Sequence, residues 1–313
     1  MEIDVIDIKD IILGNRYNIA FIIGNGIHYQ YKDCSVSWKQ LLKDLWKENV
    51  GNKQNIPVGV SFTEFYDILE LNRFWGEYGI IPRDSAQLVQ QKSSVKKSVI
   101  DRFPPKEVYK LQGCIEGIKR LNAPILTTNF DTYISDSIYA SRYILKPSQN
   151  QYKFTDFYPW NVYYSDSEIH NPSEEFAVWH INGMTEYQRS IKLGLSDYMG
   201  CVERARRMIQ GDNLEEYFKG KNQSYWEGFN TWLHIMFNKS LFIFGLGLEE
   251  NEVFLRWLLI QRTKYCKLYN KSHKGWYVDK NIKKGKRFFL EQLGFKVIDI
   301  SDYNTLYQAL ETL

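Results

Sequence analysis

The chain has 313 residues, long enough for one large domain with an insertion or for two modest domains. Hydrophobic residues make up 44% and charged residues 25%, which excludes disorder as the explanation of any long stretch. The net charge of +3 is too small to indicate nucleic-acid binding by itself, because that function needs a concentrated basic face. The basic runs at 204–207 and 280–287 are therefore interpreted as solvated surface.

The cysteines and the N-terminus indicate the compartment. Cys34, Cys114, Cys201 and Cys266 are isolated from one another, so neither a zinc site of paired thiolates nor a disulfide framework is expected. Residues 1–10 lack the basic start of a secretion signal, and no run of ~18 apolar residues predicts a membrane span. We expect a cytoplasmic, reduced protein with no metal and no membrane partner.

The first predicted strand is Ile19–Ile23, which has the length and branching of a strand buried on both faces. Gly24, Asn25 and Gly26 follow it and could present backbone N–H groups to a phosphate. The third glycine of the dinucleotide fingerprint is missing, since Tyr29 stands five residues after Gly24. An ordinary strand-to-helix turn is the alternative interpretation.

Residues 33–120 are predicted to form a helical insertion. The apolar period of Ser37–Glu48 predicts a helix, a capped helix begins near Ser61, and a third is expected over Phe103–Leu121. The sheet then resumes with Pro124–Thr128. Polar residues directly after this strand, namely Thr128, Asn129 and Asp131, stand where open α/β sheets bind ligands, although an N-cap and ordinary turn residues would look the same.

Residues 141–175 are aromatic and lack periodicity, which suggests a loop-rich lid or an interface. A strand over Phe176–Ile181 follows, and strand alternation would place His180 and Asn182 on one face; a purely structural histidine is the alternative. A later strand, Leu241–Gly245, again ends in a glycine turn that includes Gly247. The remaining predictions are strands at 190–195, 276–278 and 295–300, and helices at 131–139, 198–210, 226–237 and 250–262.

These elements predict a single α/β domain over residues 1–313, with a Rossmann-like, mostly parallel sheet, helices on both faces and the helical insertion. The polar strand ends would then meet at one edge of the sheet. Two glycine turns suggest two close approaches of the backbone to a ligand, as at the two ends of a dinucleotide.

Four segments, taken in order over about residues 18–262, resemble the sirtuin-like superfamily and in particular its bacterial anti-phage defence branch. The turn that begins at Gly24 is similar to the family's Gly-Ala-Gly-Ile, and residues 128–131 are similar to Thr-Asn-Tyr-Asp. Residues 180–183 resemble His-x-His-Gly, and residues 245–248 resemble the late Gly-(Tyr/Thr)-Ser-Leu turn. The zinc ribbon of the deacetylase branch has no counterpart here.

The resemblance implies an enzyme that hydrolyses NAD to ADP-ribose and nicotinamide in abortive anti-phage defence. In that scheme Asn129 contacts the ribose or the attacking water, Asp131 seats the nicotinamide ribose or its carboxamide, and a histidine is the general base. The resemblance implies that the first glycine turn holds the pyrophosphate and that the second lines the adenosine end. The residues to which it assigns cofactor binding are Gly24, Asn25, Gly26, Thr128, Gly245 and Gly247.

One departure from the family leaves the activity open. Asn182 stands where the family has its catalytic histidine, and an amide cannot usefully accept a proton at pH 7. Either His180 takes over this role, or the site is impaired and the protein is an NAD or ADP-ribose sensor or scaffold, or Asn182 is itself a substitution. The aromatic content of 16% favours a homo-oligomer. The resemblance alone implies a helicase-like ATPase or a phage-derived trigger protein as partner.

Overall fold

The computed structural model describes residues 4–30, 37–75, 81–102, 109–146, 155–210 and 218–313. Cys34 and the first six residues of the helix predicted over Phe103–Leu121 lie outside these ranges. The structure within them is organised around one sheet of eight strands. The strands are β1 (Ile19–Ile23), β2 (Ile125–Thr127), β3 (Ser141–Ile144), β4 (Val162–Ser165), β5 (Val178–His180), β6 (Ser240–Phe244), β7 (Gly275–Asp279) and β8 (Phe295–Asp299).

The sheet order is β3-β4-β5-β2-β1-β6-β7-β8. The six strands from β5 to β8 are parallel, and their order is that of the doubly wound dinucleotide-binding fold. β3 and β4 extend one edge as antiparallel strands. The predicted α/β fold with a mostly parallel sheet is therefore confirmed.

The helices lie in three groups. Their bounds are α1 (Val5–Leu13), α2 (Gly26–Gln30), α3 (Trp38–Val50), α4 (Phe62–Trp75), α5 (Ser85–Ile100), α6 (Tyr109–Arg120), α7 (Tyr133–Asp136), α8 (Leu195–Gln210), α9 (Trp232–Asn238), α10 (Val253–Leu268), α11 (Lys284–Gln292) and α12 (Tyr303–Glu311). Two groups cover the two faces of the sheet, and α3, α4 and α5 form the third.

β1 shows why both faces are covered. All five of its residues are buried, and strand alternation sends Ala20 and Ile22 into one core and Ile19, Phe21 and Ile23 into the other. The first core is completed by apolar residues of α8, α9 and α10, and the second by those of α1, α6 and α12. The central strand is thus enclosed on both faces, as the continuous apolar run predicts.

The helices α3, α4 and α5 pack around a core of their own. Ile191 and Leu193, which come just before α8, also belong to this core. α6, by contrast, packs against α12 on the sheet, although it lies within the predicted insertion at 33–120. α6 is therefore the helix that connects back to β2, and α3–α5 are the part that stands away from the sheet.

Several predicted elements differ from the structure. Residues 190–195 are not a strand: a 3-10 turn covers Gln188–Ser190, and Leu195 begins α8. The alternating apolar residues in this segment face the insertion core instead of a sheet. Segment 141–175 contains β3 and β4, which its irregular aromatic pattern concealed. The predicted helices at 131–139 and 226–237 shorten to α7 and α9, the latter capped by Thr231.

Candidate functional site

A cavity of about 500 Å³ opens at the carboxyl ends of the parallel strands. It lies where strand order reverses, with β2 on one side of β1 and β6 on the other, and this position is the usual ligand crevice of doubly wound sheets. Residues that follow β1, β2, β5 and β6 line it, together with the last residue of β7: Asn25, Gly26, Thr128, Asn129, Asp131, Asn182, Gly245, Gly247 and Asp279. The structure therefore brings most of the predicted site residues together.

The first glycine turn packs directly against the second. A Cβ on Gly24 would stand 2.6 Å from the Gly245 carbonyl oxygen, and one on Gly26 would stand 2.6 Å from the Gly245 Cα. The N–H of Gly24 donates to the Phe244 carbonyl at 3.2 Å, and that of Gly26 donates to the Gly245 carbonyl at 2.6 Å. Both N–H groups therefore already donate within the protein, and the phosphate contact expected of this turn stays a prediction. Both glycines serve the close approach of two turns, and Gly24 lies outside the cavity wall.

Hydrogen bonds between side chains and the backbone fix the end of β2 and the residues that follow it. The Thr127 hydroxyl donates to the Ile23 carbonyl and accepts from the Asn129 N–H at 3.1 Å. The Asp131 carboxylate accepts from the Tyr133 N–H at 3.1 Å, as expected of a residue at a helix start. Asn129 and Asp131 are almost fully buried and still border the cavity. The N-cap position of α7 is Thr132, so Asp131 contacts the start of the helix from one residue before the cap and also borders the cavity.

His28 is a site residue that the sequence reasoning missed. Its ring is fully buried behind the cavity wall. Nδ1 lies 2.8 Å from the Asn25 Oδ1, while Nε2 lies 3.4 Å from the Asp131 Oδ1 and 3.5 Å from the Asn129 Nδ2. One imidazole therefore links the polar residues of the β1 and β2 turns. Its spacing of three residues from Asn25 on a helical turn was the available sequence signal.

His180 and Asn182 border different cavities. β5 ends at His180, the chain then turns, and only Asn182 reaches the large cavity. His180 borders a separate cavity of about 20 Å³, and its Nδ1 donates to the Asn129 carbonyl at 2.8 Å. Burial lowers the pKa of His180, which keeps the ring neutral. The expectation that the two side chains share one face is therefore corrected: His180 holds the Asn129 backbone from behind.

Glu252 is a second site residue that the sequence reasoning missed. It lies at the N-cap position of α10 but makes no side-chain capping bond. Its carboxylate is buried at the cavity wall, where the Asn182 side chain hydrogen-bonds it, and Oε2 has no hydrogen-bond partner among the described residues. Burial raises the pKa of Glu252 to about 7, although the bond from Asn182 opposes this rise.

The insertion closes one side of the cavity with aromatic rings. Trp38 of α3 and Phe62 of α4 line it, with ring centroids 5.9 Å apart. The Phe62 N–H donates to the Asn251 Oδ1 at 2.7 Å, so the start of α4 is tied to the loop after β6. The helices α3 and α4, which pack around a core apart from the sheet, therefore also form one wall of the site.

The charges on the cavity wall are mainly negative. Asp131, Glu249, Glu252 and Asp279 line it, and the described lining residues include no lysine or arginine. Lys286 lies 2.9 Å from Glu249 and 3.9 Å from Asp279, which offsets the negative charge at that end. Asp131 and Glu252 have no lysine or arginine partner among the described ion pairs, although the His28 ring lies 3.4 Å from Asp131.

Comparisons with known proteins do not identify a family for this chain. No protein-family model matches the chain, and a search of curated proteins finds no match. Within the part of the chain that the structure describes, no helix combines the length and the apolar character needed to cross a bilayer. We therefore infer the function from the geometry of the site together with the sirtuin-like resemblance of the four segments.

Proposed function

We propose that this protein binds NAD in the cavity at the strand ends and hydrolyses it to ADP-ribose and nicotinamide. The observation that carries the proposal is the convergence of the β1, β2, β5 and β6 turns on one cavity at the reversal of strand order. Its volume of about 500 Å³ falls within the roughly 300–1,000 Å³ of small-molecule sites. The four segments that resemble sirtuin-like proteins are the segments that meet there.

The electrostatics of the cavity suit this chemistry. Nicotinamide carries a positive charge in NAD, and breaking its bond to ribose passes through an oxocarbenium-like state that places positive charge on the sugar. Buried carboxylates stabilise such charge strongly, because the surrounding dielectric is low. We therefore place the nicotinamide ribose beside the carboxylates of Asp131 and Glu252, and the adenosine half beside Gly245.

Asn129 is the residue in this scheme that holds the ribose or the attacking water. Its backbone is fixed by Thr127 and His180, so its side chain is positioned before any ligand binds. The side chain also lies 3.5 Å from His28, which restricts its rotation. A polar group preorganised in this way costs little to use in the transition state.

Asn129→Ala tests the proposal, with Asn72→Ala as the control because Asn72 is exposed on α4 and distant from the cavity lining. We expect the wild type to release nicotinamide from NAD and Asn129→Ala to lose at least about 100-fold in turnover, the usual scale for a preorganised polar contact. Asn72→Ala should retain full turnover. Calorimetric binding of NAD and thermal unfolding separate lost chemistry from lost folding. Equal turnover by all three proteins would overturn the role of Asn129.

A binding protein without turnover is the second candidate. Asn182 favours it, since this amide borders the cavity where a general base would be expected and cannot serve as one. This candidate predicts calorimetric binding of NAD or ADP-ribose by the wild type with no nicotinamide release. It also predicts that Asn182→His gains turnover. The wider role suggested by the sirtuin-like resemblance, abortive defence with an ATPase or phage-derived trigger, is proposed on that resemblance alone.

A further inference from the structure

We propose that Glu252 is the general base of the site and that Asn182 positions it. This inference rests on the proposed hydrolysis of NAD. Glu252 lines the same cavity as Asn129 and Asp131, although it comes from the start of α10 and not from the polar strand ends that the sequence motif contains.

The two oxygens of the Glu252 carboxylate have different surroundings. The Asn182 amide donates to the carboxylate, while Oε2 is buried without a hydrogen-bond partner in the described ranges. A carboxylate at an N-cap normally accepts an N–H of its own helix, and here it does not. The contact with Asn182 therefore orients the group, and the carboxylate, which borders the cavity, can take a proton from a water there.

Two neighbouring side chains do not compete with the Glu252 carboxylate for a proton. Tyr198 of α8 faces Glu252, and its pKa is raised well above its usual value, by burial first and by the Glu252 charge second, so the phenol stays neutral. Arg256, on the same helix as Glu252, donates to the Leu248 carbonyl at 3.0 Å. A carboxyl whose pKa lies near 7 is partly ionised at neutral pH and can both accept and release a proton.

The step balances without a further reactant. The bond between the ribose C1′ and the nicotinamide nitrogen breaks, and its electron pair leaves with nicotinamide. The water oxygen bonds to C1′, its proton passes to the Glu252 carboxylate, and the neutral carboxyl then returns that proton to solvent. The products are ADP-ribose, nicotinamide and one proton. Asn182, which cannot take the proton itself, orients the carboxylate and lowers its pKa, against the larger effect of burial.

The test compares Glu252→Gln with Glu250→Gln, a control in the same loop whose side chain is exposed and does not line the cavity. Glutamine keeps the size and hydrogen bonding of the side chain but is not basic. We expect Glu252→Gln to bind NAD within about threefold of wild type and to release nicotinamide about 10²–10⁴-fold more slowly. The rise of the wild-type rate with pH around 7 should disappear. Asn182→Ala should move that rise to higher pH, because it removes the bond that lowers the Glu252 pKa.

The outcomes separate the inference from the proposed function. If the wild type hydrolyses NAD and Glu252→Gln does so equally well, the role of Glu252 is overturned and the hydrolase stands. If the wild type binds NAD but releases no nicotinamide, the hydrolase is overturned and the base role with it. If the wild type does not bind NAD, the whole assignment of the cavity is overturned. Loss in Glu252→Gln with full activity in Glu250→Gln supports the inference.

Discussion

The contact between the two glycine turns provides the sharpest test of the site architecture. In Gly26→Ala the new methyl group would lie 2.6 Å from the Gly245 Cα and 2.7 Å from its carbonyl oxygen, and both are backbone atoms. Neither can rotate away, so the turns must separate. Overpacking of this kind costs about 1–3 kcal/mol. Moving Gly245 also shifts a wall of the cavity, and we expect the affinity for NAD to fall at least about tenfold, the equivalent of 1.4 kcal/mol.

The measurement is thermal unfolding with and without NAD. At about 2.1 cal/mol/K per residue, a chain of 313 residues has an unfolding entropy of about 0.66 kcal/mol/K. A loss of about 2 kcal/mol therefore lowers Tm by about 3 °C. Gly285→Ala is the matched control, because nothing lies within 4 Å of its added Cβ on α11. Unfolding of Gly26→Ala at the wild-type temperature, or an equal loss of stability in Gly285→Ala, would contradict the expected clash between the turns.

Two further predictions concern ionisable groups. Folding raises the pKa of the Glu252 carboxyl from about 4.5 to about 7, so the folded state holds the extra proton and stability falls as pH rises through that window. Glu252→Gln should therefore have the wild-type Tm near pH 5 and a Tm about 5 °C higher at pH 8, because ionising the buried carboxyl costs the wild type about 3 kcal/mol of unfolding free energy there. A difference in Tm that does not change with pH would contradict this. His180→Leu should cost about 1–3 kcal/mol by leaving the buried Asn129 carbonyl without its donor, yet keep the rise of rate around pH 7. Loss of that rise would make His180 the base.

The sheet could be predicted because buried parallel strands have a distinct sequence pattern. Ile19–Ile23 and Leu241–Gly245 are short branched or aromatic runs bounded by glycine, and they became β1 and β6. The antiparallel edge could not be predicted, because β4 buries tyrosines where an apolar alternation would be sought. Ile191 and Leu193 alternate as a strand does, but the cores they could join are known only from the three-dimensional packing.

The site was predictable as far as it depends on strand ends. Asn129, Asp131 and Asn182 follow strands directly, and parallel strands bring their ends to one edge. Glu252 could not be chosen from the acidic run at 249–252, because its burial depends on how the start of α10 meets the β5 turn. Its place just before the apolar helix was the only signal. The contact between the two glycine turns could not be predicted, because it depends on the three-dimensional approach that the small size of the glycines permits.

The decisive measurement of the proposed hydrolysis is the release of nicotinamide from NAD by the purified wild-type chain. We expect nicotinamide and ADP-ribose in equal amounts, at a rate that rises between about pH 6 and pH 8 as the Glu252 carboxyl ionises. A protein that is folded by its unfolding transition but neither binds nor cleaves NAD would contradict it.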